Sequence, residues 1–150
     1  MKMVILKEID RNNFHDVLNL EVFDEQKDFV ASNCYSLAQA KAQPECIPLA
    51  VYNDDTLVGF VMYCMDFEDS EYWVYRLLID KKYQKRGFGR EAMQCVLSIL
   101  QQDKEHTKVY ISFEPKNVSA KGLYESLGFT PDGRIIDDEI VYCLNYGQRD

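Results

Sequence analysis

The sequence predicts one mixed domain of the α/β (α+β) class, a sheet wrapped by helices. Three observations lead there. Strand-length apolar runs alternate with segments of helical periodicity, and two of the run pairs are close enough to form hairpins. Between the apolar run Trp73-Val74-Tyr75-Arg76-Leu77-Leu78-Ile79 and an amphipathic segment at 91–100 lies a short, glycine-punctuated turn. The chain of 150 residues suits a single domain spanning 1–150, with sparse Pro and Gly, no low-complexity tract and no internal repeat.

The elements follow in order. Residues 4–8 read as a first strand. A helix is expected over 13–20, with Phe14, Val17, Leu18 and Glu21 on one face, then a helical turn or loop over 24–30. Ser36 is expected to cap a helix over 37–42, which Pro44 lies just beyond. Residues 47–52 and 56–65 form a hairpin around the turn Asn53-Asp54-Asp55, and 72–79 is the next strand. A helix over about 87–102 carries the apolar stripe Met93, Val96, Leu97 and Leu100, which is ordinary core packing. A strand over 109–113, a helix over 119–127 ended by Gly128, and a closing hairpin of 134–136 with 139–144 complete the reading.

Composition excludes several classes. No apolar run reaches the ~18 residues that span a bilayer, and charge interrupts the amino-terminal segment 1–8 too early for a signal peptide. Cys34, Cys46, Cys64, Cys95 and Cys143 are odd in number and scattered, and His15 and His106 add no ligand spacing. No disulfide framework and no metal site is expected, and free thiols fit a cytoplasmic location. A net charge of −8 argues against nucleic acid as partner. The charge is unevenly placed: Lys81, Lys82, Lys85, Arg86 and Arg90 form a basic stretch, whereas Glu21, Asp24, Glu25, Asp28 and Asp66, Glu68, Asp69, Glu71 form two acidic ones. Such a chain can bind an anion at one place and a cation at another.

The turn Tyr83-Gln84-Lys85-Arg86-Gly87-Phe88-Gly89-Arg90 is the place for the anion. The first amides of a helix lack intrahelical partners and lie at the positive end of its dipole, so they favour phosphate. Gly87 and Gly89 leave the approach open, and Lys85, Arg86 and Arg90 add charge. The spacing is Gln-x-x-Gly-x-Gly, not a nucleotide P-loop and not GxGxxG.

Some thirty residues later comes Asn117-Val118-Ser119-Ala120-Lys121-Gly122-Leu123-Tyr124-Glu125-Ser126-Leu127-Gly128-Phe129. Together with Gln84-x-x-Gly87-x-Gly89, in this order and separation, the sequence resembles the GCN5-related N-acetyltransferases over nearly its whole length. The resemblance implies a mostly antiparallel central sheet with about four helices and acetyl-CoA as cofactor, and a homodimer, common in that family, is the assembly it suggests. It implies that Gln84, Lys85, Arg86, Gly87, Phe88, Gly89 and Arg90 hold the pyrophosphate. Leu77, Leu78 and Ile79 would pair with the pantetheine arm, and an amide near Ile79 would polarise the thioester carbonyl. Tyr124 would protonate the leaving thiolate. Asn117 would hydrogen-bond pantetheine, with Ser119 either a ligand or the cap of its helix.

An acceptor amine with a pKa near ~10.4 must lose a proton before it attacks. Some polyamine-acetylating relatives place a carboxylate where this chain has Tyr75, so Glu71, Glu114, a water chain and an amine that arrives already neutral all stay open. The stretch from Glu25 to Ala40 and the run Val58-Gly59-Phe60-Val61-Met62-Tyr63 resemble the bacterial spermine/spermidine (diamine) branch. That resemblance implies a small-molecule polyamine held by Glu25, Glu68, Asp69, Glu71 and Tyr75, with Phe29, Tyr35 and Trp73 flanking its methylenes. A protein amino terminus, a lysine or an aminoglycoside as acceptor, and a non-catalytic acetyl-CoA sensor, are the alternatives.

Overall fold

In a computed structural model, which describes residues 3–147, seven strands form one sheet in the order β1-β2-β3-β4-β5-β7-β6. The elements are β1 (Val4–Glu8), α1 (Phe14–Leu18), α2 (Asn33–Ala42), β2 (Cys46–Asn53), β3 (Thr56–Met65) and β4 (Tyr72–Ile79). They continue with α3 (Phe88–Leu100), β5 (Lys108–Phe113), α4 (Val118–Ser126), β6 (Thr130–Ile136) and β7 (Glu139–Asn145). Every neighbouring pair is antiparallel except β4 and β5. The mostly antiparallel mixed sheet and its four helices agree with expectation. Met1 and Lys2, at the start of the segment read against a signal peptide, lie outside the described residues.

Two cores grip the sheet from its two faces. On one face α3 and α4 bury Phe88, Met93, Val96, Leu100 and Tyr124 against Val51, Val61, Val74, Ile111, Phe113 and Tyr142. Each such side chain withdrawn from water stabilises by about 1.5–3 kcal/mol before entropy is charged. On the other face Val17 of α1, with Leu37 and Ala40 of α2, packs on Ala50, Phe60, Met62 and Cys64. Leu97, expected in the stripe of α3, is only partly buried.

Three expectations are corrected. The first helix is shorter than 13–20, and of its predicted face only Val17 is buried, Leu18 being 38% exposed. The chain is drawn off the helix at Glu21, whose amide donates to Asp80 Oδ2 (3.0 Å) and whose carbonyl accepts from the Lys81 amide (2.7 Å). The second helix starts at Asn33, not 37. Ser32 is its cap, accepting from the Tyr35 amide at 3.0 Å, while Ser36 is buried inside the helix and its hydroxyl donates to the Ser32 carbonyl. The fourth helix is capped by Asn117, whose Oδ1 accepts from the Ala120 amide, and Ser119 lies within its first turn. Its exit is as expected: Gly128 has φ 99°, and the Phe129 amide reaches back to the Tyr124 carbonyl.

Gly59 of β3 lies opposite Ile79, and a Cβ there would stand 2.5 Å from the Leu78 carbonyl oxygen. Only glycine lets β3 run this close to the end of β4. All five cysteines are unpaired, with Cys46 and Cys64 buried.

A polar staple closes the far end of the sheet. Tyr72 donates to Asp103 Oδ2 (2.8 Å), His106 Nδ1 lies 2.8 Å from the same oxygen, and His106 Nε2 lies 3.1 Å from the Ser70 carbonyl. Desolvation opposes the charged imidazole, but the bonds to Asp103 and Ser70 outweigh it and raise the pKa above its ordinary 6.5. Burial and then the Asp103 bond push Tyr72 up to about 12. A proton held more tightly in the folded chain stabilises fully below the unfolded pKa near 6.5, and that contribution fades as pH rises through the higher folded value. His106→Ala should therefore lower Tm more at pH 6 than at pH 9. A thermal melt series showing an equal deficit at both pH values would contradict the staple.

Candidate functional site

The site begins where β4 and β5 part. Their parallel ladder covers Tyr72, Trp73 and Val74 against Val109, Tyr110 and Ile111, and no further. Immediately afterwards β4 carries a bulge: Val74 faces Tyr63 and Arg76 faces Met62, so Tyr75 is the extra residue. The bulge directs Tyr75 and Arg76 to the same face. Tyr75 packs in the α1/α2 core and donates to Asp66 Oδ2 at 2.7 Å, and Arg76 Nη2 donates to Gln39 of α2 at 3.0 Å. Beyond the bulge, Leu77, Leu78 and Ile79 keep their pairing with β3 but have no partner in β5.

Into this gap opens a cleft of about 1180 Å³. Its lining joins most of the residues singled out from sequence: Tyr75, Leu77, Leu78, Ile79, Gln84, Lys85, Gly87, Phe88, Gly89, Arg90, Asn117, Ser119, Tyr124 and Glu25. Arg86 is not in the lining; its guanidinium lies 5.8 Å from the centre of the Tyr83 ring. Glu68, Asp69 and Glu71 are also outside it. The 66–71 loop folds on itself and on β4 instead: Asp66 accepts from the Glu68 and Asp69 amides, and Asp69 accepts from the Glu71 amide and the Trp73 indole. Glu114 does not line the cleft either. Of the aromatic residues expected beside an acceptor, Phe29 and Tyr75 do, whereas Trp73 stacks on Tyr110 at 5.2 Å and Tyr35 is 61% exposed.

At one end of the cleft is the glycine turn. Left-handed backbone at Lys85 (φ 62°) and Gly87 (φ 87°) curls it into α3, whose first internal bond runs from the Glu91 amide to the Gly87 carbonyl. The Gly89 and Arg90 amides precede that bond, at the positive end of a 13-residue helix. A Cβ on Gly89 would come into ordinary contact with the side chains of Leu123, Ile79 and Leu77, at 3.5–3.9 Å. Gln84 is a strap more than a ligand. Its Nε2 donates to the Ile79 carbonyl (2.9 Å) and to Gln26 Oε1 (2.9 Å), and Gln26 Nε2 returns a bond to Gln84 Oε1 (3.0 Å). One amide pair thus ties the turn to the end of β4 and to the 3-10 turn Asp24–Gln26.

Deeper in, Tyr124 is 6% exposed between Phe113 and Phe129, whose ring centres lie 5.6 and 5.8 Å away. Its hydroxyl makes no hydrogen bond among the described residues, and burial raises its pKa, keeping the proton on oxygen across the physiological range. A neutral O–H facing a cleft can donate a proton to a departing anion.

Asp28, of the acidic run seen in the sequence, lines the cleft beside Glu25, and so do three residues not foreseen, Arg76, Ser112 and Glu139. Ser112 donates to Glu139 Oε1 at 2.7 Å. Arg76 also donates Nη1 to the Tyr75 carbonyl, but its buried Nε has no hydrogen-bond partner among the described residues, and burial lowers its pKa. Lys27 is spent on Asp24 (2.9 Å) and Lys81 on Glu21 (3.0 Å). Among the described residues, no group of three or more His, Cys, Asp or Glu is arranged to hold a metal, and no helix is long and apolar enough to cross a membrane.

A sheet split between β4 and β5, a helix amino terminus at its rim and a protonated hydroxyl within define a coenzyme A-dependent acyltransferase architecture. The match to the Acetyltransferase (GNAT) family model spans residues 6–129, and the chain belongs to this family. It is an acetyl-CoA-dependent N-acetyltransferase. The spermine/spermidine N(1)-acetyltransferase of Bacillus subtilis is 27% identical over 136 residues, covering 87% of this chain and 90% of that protein. The crystal structure of spermidine N-acetyltransferase from Vibrio cholerae, in complex with CoA and spermine, superposes with a TM-score of 0.73 at 18% identity, covering 97% and 96% of the two chains. An aminoglycoside acetyltransferase in complex with coenzyme A superposes with a TM-score of 0.76 at 16% identity, covering 95% of each chain.

The strap makes a sharp expectation. Gln26→Ala and Gln84→Ala should each destabilise by roughly 1 kcal/mol, and the double variant by clearly less than their sum. Additive losses in a denaturant double-mutant cycle would show that the two amides act independently.

Proposed function

We propose that the protein acetylates a primary amine of a polyamine such as spermine or spermidine. The observation that carries this is the composition of one cleft, which brings the glycine turn with Lys85 and Arg90 together with the carboxylates Glu25, Asp28 and Glu139. The similarity to spermine/spermidine acetyltransferases supports the same acceptor. In this reading the turn residues 85–90 bind the phosphates, through the amides of Gly87, Gly89 and Arg90 and the charges of Lys85, Arg86 and Arg90, with Gln84 holding the turn in place. The backbone of Leu77, Leu78 and Ile79, unmatched by β5, takes the pantetheine arm as a further strand, with Asn117 and Ser119 closing over it. Since Gln84 already occupies the Ile79 carbonyl, the amide at this end of β4 is the group left to polarise a thioester oxygen. Acetyl-CoA supplies the acetyl group as a thioester. Tyr124 delivers its hydroxyl proton to the leaving sulfur. Glu25 and Asp28 hold the distal ammoniums of the acceptor, with Phe29 and Tyr75 beside its methylenes.

Arg76 favours a second reading. A guanidinium with a buried, unpartnered Nε suits a carbonyl or carboxylate beside the reacting amine, as in a peptide amino terminus.

A thiol-release assay with acetyl-CoA against spermine, spermidine, putrescine, a lysine peptide, a free-amino-terminus peptide and an aminoglycoside separates these. Preference for spermine or spermidine by tenfold or more in kcat/KM is expected, and preference for the free-amino-terminus peptide would replace the polyamine by the second reading. Tyr124→Phe should lower kcat by about 10²-fold or more while acetyl-CoA affinity, measured by calorimetry, stays within about twofold. Unchanged turnover would remove Tyr124 from the chemistry.

A further inference from the structure

Acetyl transfer to an ammonium needs a proton acceptor on the amine's side of the cleft, and the positions expected from sequence do not supply one. Tyr75 is bound to Asp66, and Glu71 and Glu114 are outside the lining. We propose that Glu139 is the general base, the carboxylate that takes the proton from the acceptor ammonium. The inference rests on amine acetylation at this site, not on which amine is acetylated.

The sheet itself brings Glu139 there. Alternation along β5 sends Ile111 and Phe113 into the core beneath α3 and α4, so Ser112 faces the α1/α2 side. Ser112 is opposite Val141 in the β5/β7 ladder, and Glu139, two residues earlier on β7, shares that face. Tyr124 comes from α4, on the opposite face. The acid and the base therefore enter one cleft from the two sides of the split sheet. Glu139 is half-buried at the first residue of its strand, opposite Ile136, after a turn with left-handed backbone at Asp137 and Asp138. The Ser112 bond at 2.7 Å fixes the carboxylate and occupies Oε1. Oε2 has no hydrogen bond and Glu139 no salt bridge among the described residues, so one oxygen is available to a donor. The titratable or charged groups lining the same cleft are Arg76 and Tyr75 from β4, Tyr124 from α4, Tyr83, Lys85 and Arg90 at the glycine turn, and Glu25, Lys27 and Asp28 from the segment before α2. Arg76 is close enough to be stabilised by the Glu139 charge.

The protons balance as follows. The ammonium gives one proton to Glu139 Oε2, and its freed lone pair forms the C–N bond as the C–S bond breaks. Sulfur takes the Tyr124 proton, and the second proton lost from nitrogen restores the tyrosine hydroxyl. Amide and free thiol leave, and Glu139 passes its proton to solvent.

The test uses the full chain, acetyl-CoA and whichever amine of the panel is turned over best. Glu139→Gln should lower kcat/KM at pH 7 by about 10²-fold or more and leave acetyl-CoA affinity within about twofold. Its deficit should shrink towards wild type near pH ~10, where the amine arrives already deprotonated. Glu139→Asp should recover part of the rate. Should the Gln variant fold poorly, Ser112→Ala is expected to weaken turnover about tenfold with the same pH signature. A wild-type pH profile in a folded variant, a rise in amine KM alone, or a parallel loss of acetyl-CoA binding would each overturn the assignment. Failure of spermine and spermidine as substrates would overturn the polyamine reading while leaving Glu139 testable with the amine that is used.

Discussion

Everything functional in this molecule depends on β4 and β5 ceasing to pair after Val74 and Ile111. A continuous parallel ladder would satisfy the backbone of Leu77, Leu78 and Ile79 internally and fill the cleft with strand. The parting is stable because both strands stay anchored on their outer sides, β4 to β3 up to Ile79 and β5 to β7 up to Phe113. The bulge at Tyr75 falls at the same place, turning the chain and sending two consecutive side chains to the α1/α2 face. Gly59, by letting β3 approach the Leu78 carbonyl, keeps the end of β4 in place beside the glycine turn.

The cleft gathers both signs of charge in one lining, Lys27, Arg76, Lys85 and Arg90 with Glu25, Asp28 and Glu139. The glycine turn adds the positive end of a helix dipole to that lining. Tyr124 lines the same cleft in an apolar bracket of two phenylalanines, and burial there suppresses its ionisation. Two devices hold the ends together: the Gln26–Gln84 amide pair, and buried Asp80, which accepts from the Lys82 and Glu21 amides.

Much of the fold was legible from sequence. Strands β3 and β4 were read to the residue, because alternating β-branched and aromatic runs bounded by turn residues leave little freedom in where a strand ends. Helix starts were less legible. Ser32 and Ser36 are equally good caps on paper, as are Asn117 and Ser119, and the choice rests on which hydroxyl or amide meets a free N–H in the folded chain. The acidic run at 66–71 illustrates a further limit: its carboxylates satisfy local amides and side chains of β4, which residue type alone does not reveal.

By itself the sequence determined the order of elements and the glycine-punctuated turn that opens α3, and its family resemblance singled out that turn together with Tyr124. The first two are local matters, set by backbone freedom and periodicity along the chain. Only the tertiary structure decided which carboxylates share a cavity with Tyr124. Glu139 follows two aspartates in what reads as a hairpin turn, and its place beside Ser112 comes from a strand register between residues 27 positions apart. Register is a property of two strands together, and a shift of one residue would send Glu139 to the opposite face of the sheet.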